Sequence, residues 1–119
     1  MDLKIKLFGI LVNDKDEILL KKEDYSLPGD DIIVGCDLIS SIKKIIKEKT
    51  NINLIDIILF DEVSLIEEDT HTLAIFYIGT FFKDEILKIN QVYKWCKLKK
   101  IDLEKVDYFT KFVIRQILE

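Results

Sequence analysis

The sequence predicts a single α/β (α+β) domain spanning residues 1–119. Runs of strand-like apolar patterning interleave with two stretches of helical period, and no linker, repeat or low-complexity segment divides them. Size agrees, because 119 residues at 49% hydrophobic and 34% charged supply one core and leave no room for a second.

The elements follow in order. Leu3, Ile5 and Leu7 alternate with Lys4 and Lys6, which predicts a strand with one buried face, and the uncharged run to Val12 predicts burial on both faces further on. Asn13-Asp14-Lys15-Asp16 is a polar turn, and Glu17 to Lys22 is the returning strand, so the two runs predict an N-terminal hairpin. After Pro28, the sole proline, and Gly29, Asp37 stands where a helix N-cap belongs. Leu38, Ile42, Ile45 and Ile46 then carry the spacing of one buried helical stripe. Asn51 tolerates the left-handed conformation that ends a helix, so the helix is predicted from Leu38 to Thr50. Ile52 to Ile66 and Thr70 to Phe82 predict a second hairpin with the acidic tip Glu67-Glu68-Asp69. Val92 to Trp95 predicts a short strand. Val106, Phe109, Val113 and Ile117, with Phe112 beside them, predict a last helix over Glu104 to Leu118.

Composition narrows the function. A formal net charge of -4 and a pI near 5.1 argue against polymeric nucleic acid as a partner, since phosphate binding needs clustered Lys and Arg. The uncharged runs, Leu7 to Asn13 and Thr72 to Phe82 among them, are too short to cross a bilayer, so no membrane partner is expected. Cys36 and Cys96 form neither a disulfide framework nor a metal cluster, and no apolar segment follows Met1-Asp2; the expectation is a soluble, cytoplasmic protein.

The stretch Leu27 to Ile52 reads LPGDDIIVGCDLISSIKKIIKEKTNI and resembles the box of the Nudix superfamily, whose members hydrolyse a nucleoside diphosphate linked to another moiety. The family pattern has Leu-Pro-Gly-Gly, a Gly-Glu pair, a helix carrying Arg-Glu-apolar-x-Glu-Glu, and a closing x-Gly-apolar. Gly29, Gly35, Ile46 and Ile52 fall on the first glycine, the Gly-Glu glycine and the two apolar positions. Asp30 then stands for the second glycine, Cys36 for the first glutamate, Lys44 for the arginine and Asn51 for the closing glycine. The glutamate triplet becomes Ile45, Glu48 and Lys49. A Trp95 to Leu98 stretch ahead of the last helix extends the resemblance over nearly the whole chain. It implies a Nudix-like mixed β-sheet sandwiched between helices.

In the family the helix glutamates hold Mg²⁺ against a pyrophosphate. Positions 45 and 49 lie one above the other on a helix with 48 beside them, so three carboxylates there converge on one spot. This sequence offers Glu48 alone. A lysine ammonium about 4 Å from Mg²⁺ repels it by about 8 kcal/mol at an effective dielectric near 20. The resemblance therefore implies Mg²⁺ only if the protein is active, with Glu48 as catalytic residue and ligand, joined by Glu67 and Glu68 from the acidic tip. Without metal, Gly29, Asp30, Lys44 and Lys49 are the candidate ligand-binding residues, the lysines meeting phosphate directly. A plainer alternative pairs Lys44 with Glu48 on an exposed helix face and leaves Lys49 solvated.

Around these, Ile45 is expected to extend the core, Cys36 has no base to make it a nucleophile, and His71, the sole histidine, has no metal partner. Tyr25, where the family often has tryptophan, is expected to pack. Two functions stay open: an eroded box in a weak or inactive pyrophosphohydrolase that binds a small nucleotide-like ligand or a protein partner, and an active Mg²⁺-dependent hydrolase. Dimers are common in the family, so a homodimer is a further expectation.

Overall fold

The structure, a computed structural model, describes residues 1–119. Its centre is a mixed four-stranded sheet in the order β3-β1-β5-β4, where β1 is Asp2–Ile10, β3 Gly29–Asp31, β4 Ile57–Glu67 and β5 Thr70–Gly79. β1 runs parallel to β5 and antiparallel to β3, and β4 runs antiparallel to β5. A second, two-stranded sheet pairs β2 (Glu17–Lys21) with β6 (Tyr93–Lys97).

Strand pleating divides the core into two layers. Leu7, Leu11, Leu19, Ile75, Tyr77 and Tyr93 point to one side, where Ile42, Ile45 and Ile46 of α1 (Leu38–Thr50) cover them. Phe8, Ile10, Ile18, Leu20 and Phe76 point to the other, under Val113 of α2 (Tyr108–Leu118). Burial on both faces is why Leu7 to Leu11 reads as a continuous apolar run. The expected sheet sandwiched between helices is present.

α1 begins and ends as the sequence predicts. Asp37 accepts from the Ser40 amide at 2.8 Å, and Asn51 closes the helix at φ 73°. The buried stripe is Ser41, Ile42, Ile45, Ile46 and Thr50, while Leu38, expected within it, is 39% exposed. Burial in α1 begins at Ser41, so the first turn lies outside the core.

Several boundaries differ from expectation. The first two strands do not form a simple hairpin, because β1 takes both its partners from the central sheet. A single bridge, Val12 to Ile18, joins its continuation to β2, which pairs instead with β6. The second hairpin and its acidic turn are present, but β4 starts at Ile57, and the chain after Gly79 forms a 3-10 turn over Lys83–Lys88. α2 starts at Tyr108, where Asp107 accepts from the Thr110 amide at 2.7 Å and caps it. Val106 therefore precedes the helix. No helix is long and apolar enough to cross a membrane.

Candidate functional site

The loop from Tyr25 to Gly35 is fixed by backbone contacts to both layers. The Pro28 carbonyl accepts from the Gly9 amide at 2.9 Å, and the Leu27 amide donates to the buried Thr110 hydroxyl of α2 at 3.1 Å. Gly29 lies so close to β1 that an added Cβ would sit 2.5 Å from both the Leu7 carbonyl oxygen and the Phe8 ring. Gly35 holds φ 87°, a conformation that side chains rarely adopt. The two glycines that carry the box resemblance are thus required by backbone geometry.

Gly29 and the last turn of α1 border an open cleft of about 330 Å³, lined also by Lys21, Glu48, Lys49, Asn90 and Tyr93. Glu48 is exposed, is the sole carboxylate of the lining, and takes part in none of the chain's ion pairs. Ile45 points the other way and is 3% exposed within the core.

Lys49 has a partner that the sequence did not reveal. Its ammonium lies 3.1 Å from a carboxylate oxygen of Asp30, which stands at the second box glycine. Asp30 titrates below its ordinary value, first because its carboxylate accepts from the Asp31 amide at 2.8 Å, then because it meets Lys49. Lys49 also suits the negative end of the helix dipole. The ammonium is therefore a neutralised charge and not a free repulsive one. Asn90 donates to the Lys49 carbonyl at 2.6 Å, satisfying a C-terminal helix acceptor and tying the segment before β6 to the cleft.

The other candidates lie elsewhere. Lys44 turns toward Cys36, its ammonium 3.4 Å from the sulfur, and forms no ion pair with Glu48. Glu67 and Glu68 line a separate depression with Lys4 and Lys6, and neither borders the Glu48 cleft. Burial raises the Tyr93 hydroxyl above its ordinary pKa, with Asp24 and Asp30 adding to the effect, so it remains a neutral hydrogen-bonding group at the cleft wall. Burial likewise pushes the Cys96 thiol up, away from nucleophilic use. Lys21, Asn90 and Tyr93 were missed by sequence reasoning, because the β2–β6 pairing that brings them to the box has no local signature.

No family model matches the chain, and no curated protein matches it in sequence. Solved structures match it in fold. A MutT Nudix hydrolase from Burkholderia pseudomallei is 17% identical and superposes with a TM-score of 0.76 over 98% of this chain and 99% of that one. The fold is the Nudix fold. A MutT protein from Bacillus halodurans gives a TM-score of 0.82 at 17% identity, covering 98% of this chain and 82% of that one. A MutT protein from Methanosarcina mazei gives 0.71 at 18%, covering 98% and 96%. At the box the structure brings one carboxylate, Glu48, into the cleft lining, with the Lys49–Asp30 pair beside it. No group of three His, Cys, Asp or Glu side chains able to hold a metal is present, Mg²⁺ needs hard oxygen donors, and an ammonium occupies the place of a carboxylate.

Proposed function

We propose that this chain is a cytoplasmic Nudix-fold domain whose box cleft binds a small nucleotide-like, phosphate-bearing ligand and hydrolyses it weakly or not at all. The observation that carries this reading is the Lys49–Asp30 ion pair. It stands beside Glu48, where the resemblance calls for converging carboxylates. Lys49 is balanced by Asp30 and Lys21 lies 3.9 Å from Glu23, so the lining offers an anion ammonium donors rather than net charge, and Asn90, Ser26 and Tyr93 add neutral polar groups around Gly29. Such a lining suits recognition of an anion more than activation of water on a metal. Glu48 is the one residue that favours the second reading, an active Mg²⁺-dependent pyrophosphohydrolase.

The test pairs binding with turnover. Nucleotide sugars, dinucleoside polyphosphates, ADP-ribose and oxidised nucleotides are screened for thermal stabilisation and for product release, with and without Mg²⁺. The expected result is a rise in melting temperature, about 2.7 kcal/mol of added stability at a hundred times Kd, without release and without metal dependence. Mg²⁺-dependent release abolished by Glu48→Gln would replace this reading with the active hydrolase. No stabilisation by any compound would leave a protein partner as the occupant.

A further inference from the structure

Four lysines, Lys94, Lys97, Lys100 and Lys105, border a cleft of about 360 Å³ formed by β6, the 3-10 turn Leu98–Lys100 and the segment leading to α2. The cleft shares no residue with the one around Glu48. Asp102 is the sole acid of its lining, and that carboxylate already accepts from the Glu104 amide at 3.0 Å. None of the four lysines takes part in an ion pair. On a chain of formal net charge -4, so much uncompensated positive charge in one concavity works against folding and favours occupation by an anion.

One lysine is also fixed in place. Lys94 is half-buried, donates to the Tyr25 hydroxyl at 3.1 Å, and lies 4.4 Å from the centre of the Tyr25 ring. Tyr25 reaches it from a left-handed backbone at φ 57°, a conformation that costs a bulky residue about 1–2 kcal/mol. The hydroxyl contact and the cation–π contact together hold an ammonium at the wall of the cleft, outside every ion pair. Ile101 supplies an apolar part of the lining, while the Trp95 indole packs on Phe81 and donates to the Ile86 carbonyl on the other side of β6.

We propose that this cleft is a binding site for a small, multiply charged phosphate-bearing anion, with Lys94 as its positioned cation and Lys97, Lys100 and Lys105 closing around the charge. No metal is needed, because the ammonium groups meet phosphate directly. The volume is that of a small-molecule site, and the acidity of the chain as a whole sets it apart from a nucleic-acid groove.

The test titrates inorganic pyrophosphate into the full chain with EDTA present. Binding is read by calorimetry and by backbone amide shifts. A saturable heat of binding is expected, with amide shifts centred on Tyr25 and residues 94–105. Lys100→Glu with Lys105→Glu, both exposed positions, should weaken Kd at least tenfold, and Lys43→Gln, at an exposed lysine outside both clefts, should leave it unchanged. Absence of saturation, shifts confined to Gly29, Glu48 and Asn90, or an unchanged Kd in the double variant would overturn the proposal. So would a single-stranded oligonucleotide or anionic lipid vesicles saturating these amides at lower phosphate concentration than pyrophosphate does. The wild-type amide map decides even if the double variant does not fold. Because the two clefts share no residue, this site and the box cleft succeed or fail separately.

Discussion

Lys49 and Asp30 form an ion pair 3.1 Å long across the mouth of the box cleft, joining the last turn of α1 to the loop strand β3. Both side chains are substantially exposed, so the pair contributes less than about 1 kcal/mol to stability. Its larger effect is chemical. Asp30 brings a carboxylate to the box, and Lys49 neutralises it.

Lys49→Glu is therefore expected to do more than delete a cation. It would gather three carboxylates, at positions 30, 48 and 49, and create a divalent-cation site. Without metal the variant should lose about 1 kcal/mol or less through like-charge repulsion and an anion at the negative end of the helix. Mn²⁺ or Mg²⁺ should restore the melting temperature in the variant and leave the wild type unmoved. Calorimetric titration of Mn²⁺ checks this, and equal binding by both proteins would contradict it. Ile45→Glu is not a suitable companion, because that side chain is 3% exposed in the core and an unpaired carboxylate there costs about 3 kcal/mol or more.

The same pair gives a pH dependence whose sign is fixed. Asp30 is held below its ordinary value of 3.8 in the folded state. Its stabilising contribution is thus fully present above that value and is lost as pH falls through the depressed folded value. Thermal melts of wild type and Lys49→Gln should differ by up to about 1 kcal/mol at pH 6 and converge near pH 2. A gap that persists at the lower pH would mean that Lys49 acts through some other group.

Much of the fold was legible in the sequence because its signals are local. Asp37, the Ile42–Ile45–Ile46 stripe and Asn51 set both ends and the buried face of α1 within one turn of themselves. The β4–β5 hairpin was legible for the same reason, since its turn lies between its strands. The pairing of β2 with β6 was not, because those partners are distant in sequence and the turn at Asn13 to Asp16 suggested a closer one. The site divides the same way. The loss of carboxylates at positions 45 and 49 was visible at once, while the Asp30 partner of Lys49 needed the fold to bring β3 against the end of α1. The lysines from Lys94 to Lys105 were present in the sequence, but an acidic total charge averaged them away.

Gly29 and Gly35 should respond differently to alanine. At Gly29 a Cβ meets the Leu7 carbonyl and the Phe8 ring at 2.5 Å, and β1 is too well packed on both faces to yield. Gly29→Ala should cost about 2–3 kcal/mol. At Gly35 nothing lies within 4 Å of an added Cβ, so the cost is the left-handed backbone alone, about 1 kcal/mol. Urea unfolding of the two variants checks the order, and a larger loss at Gly35 would refute it.

Thr110 joins the box loop to α2, and its removal should loosen the loop before it unfolds the domain. The hydroxyl is fully buried and accepts the Leu27 amide at 3.1 Å, the one side-chain bond from α2 to this segment. Thr110→Val keeps the shape of the side chain and removes the acceptor, leaving a buried amide unpaired at a cost of about 1–3 kcal/mol. The neighbouring bond from the Gly9 amide to the Pro28 carbonyl remains, so the loss should concentrate at Leu27. Hydrogen exchange at the Leu27 amide should quicken by more than the global destabilisation accounts for. If it quickens only in step with the strand amides of β1, Thr110 supports the core as a whole and does not specifically position the loop.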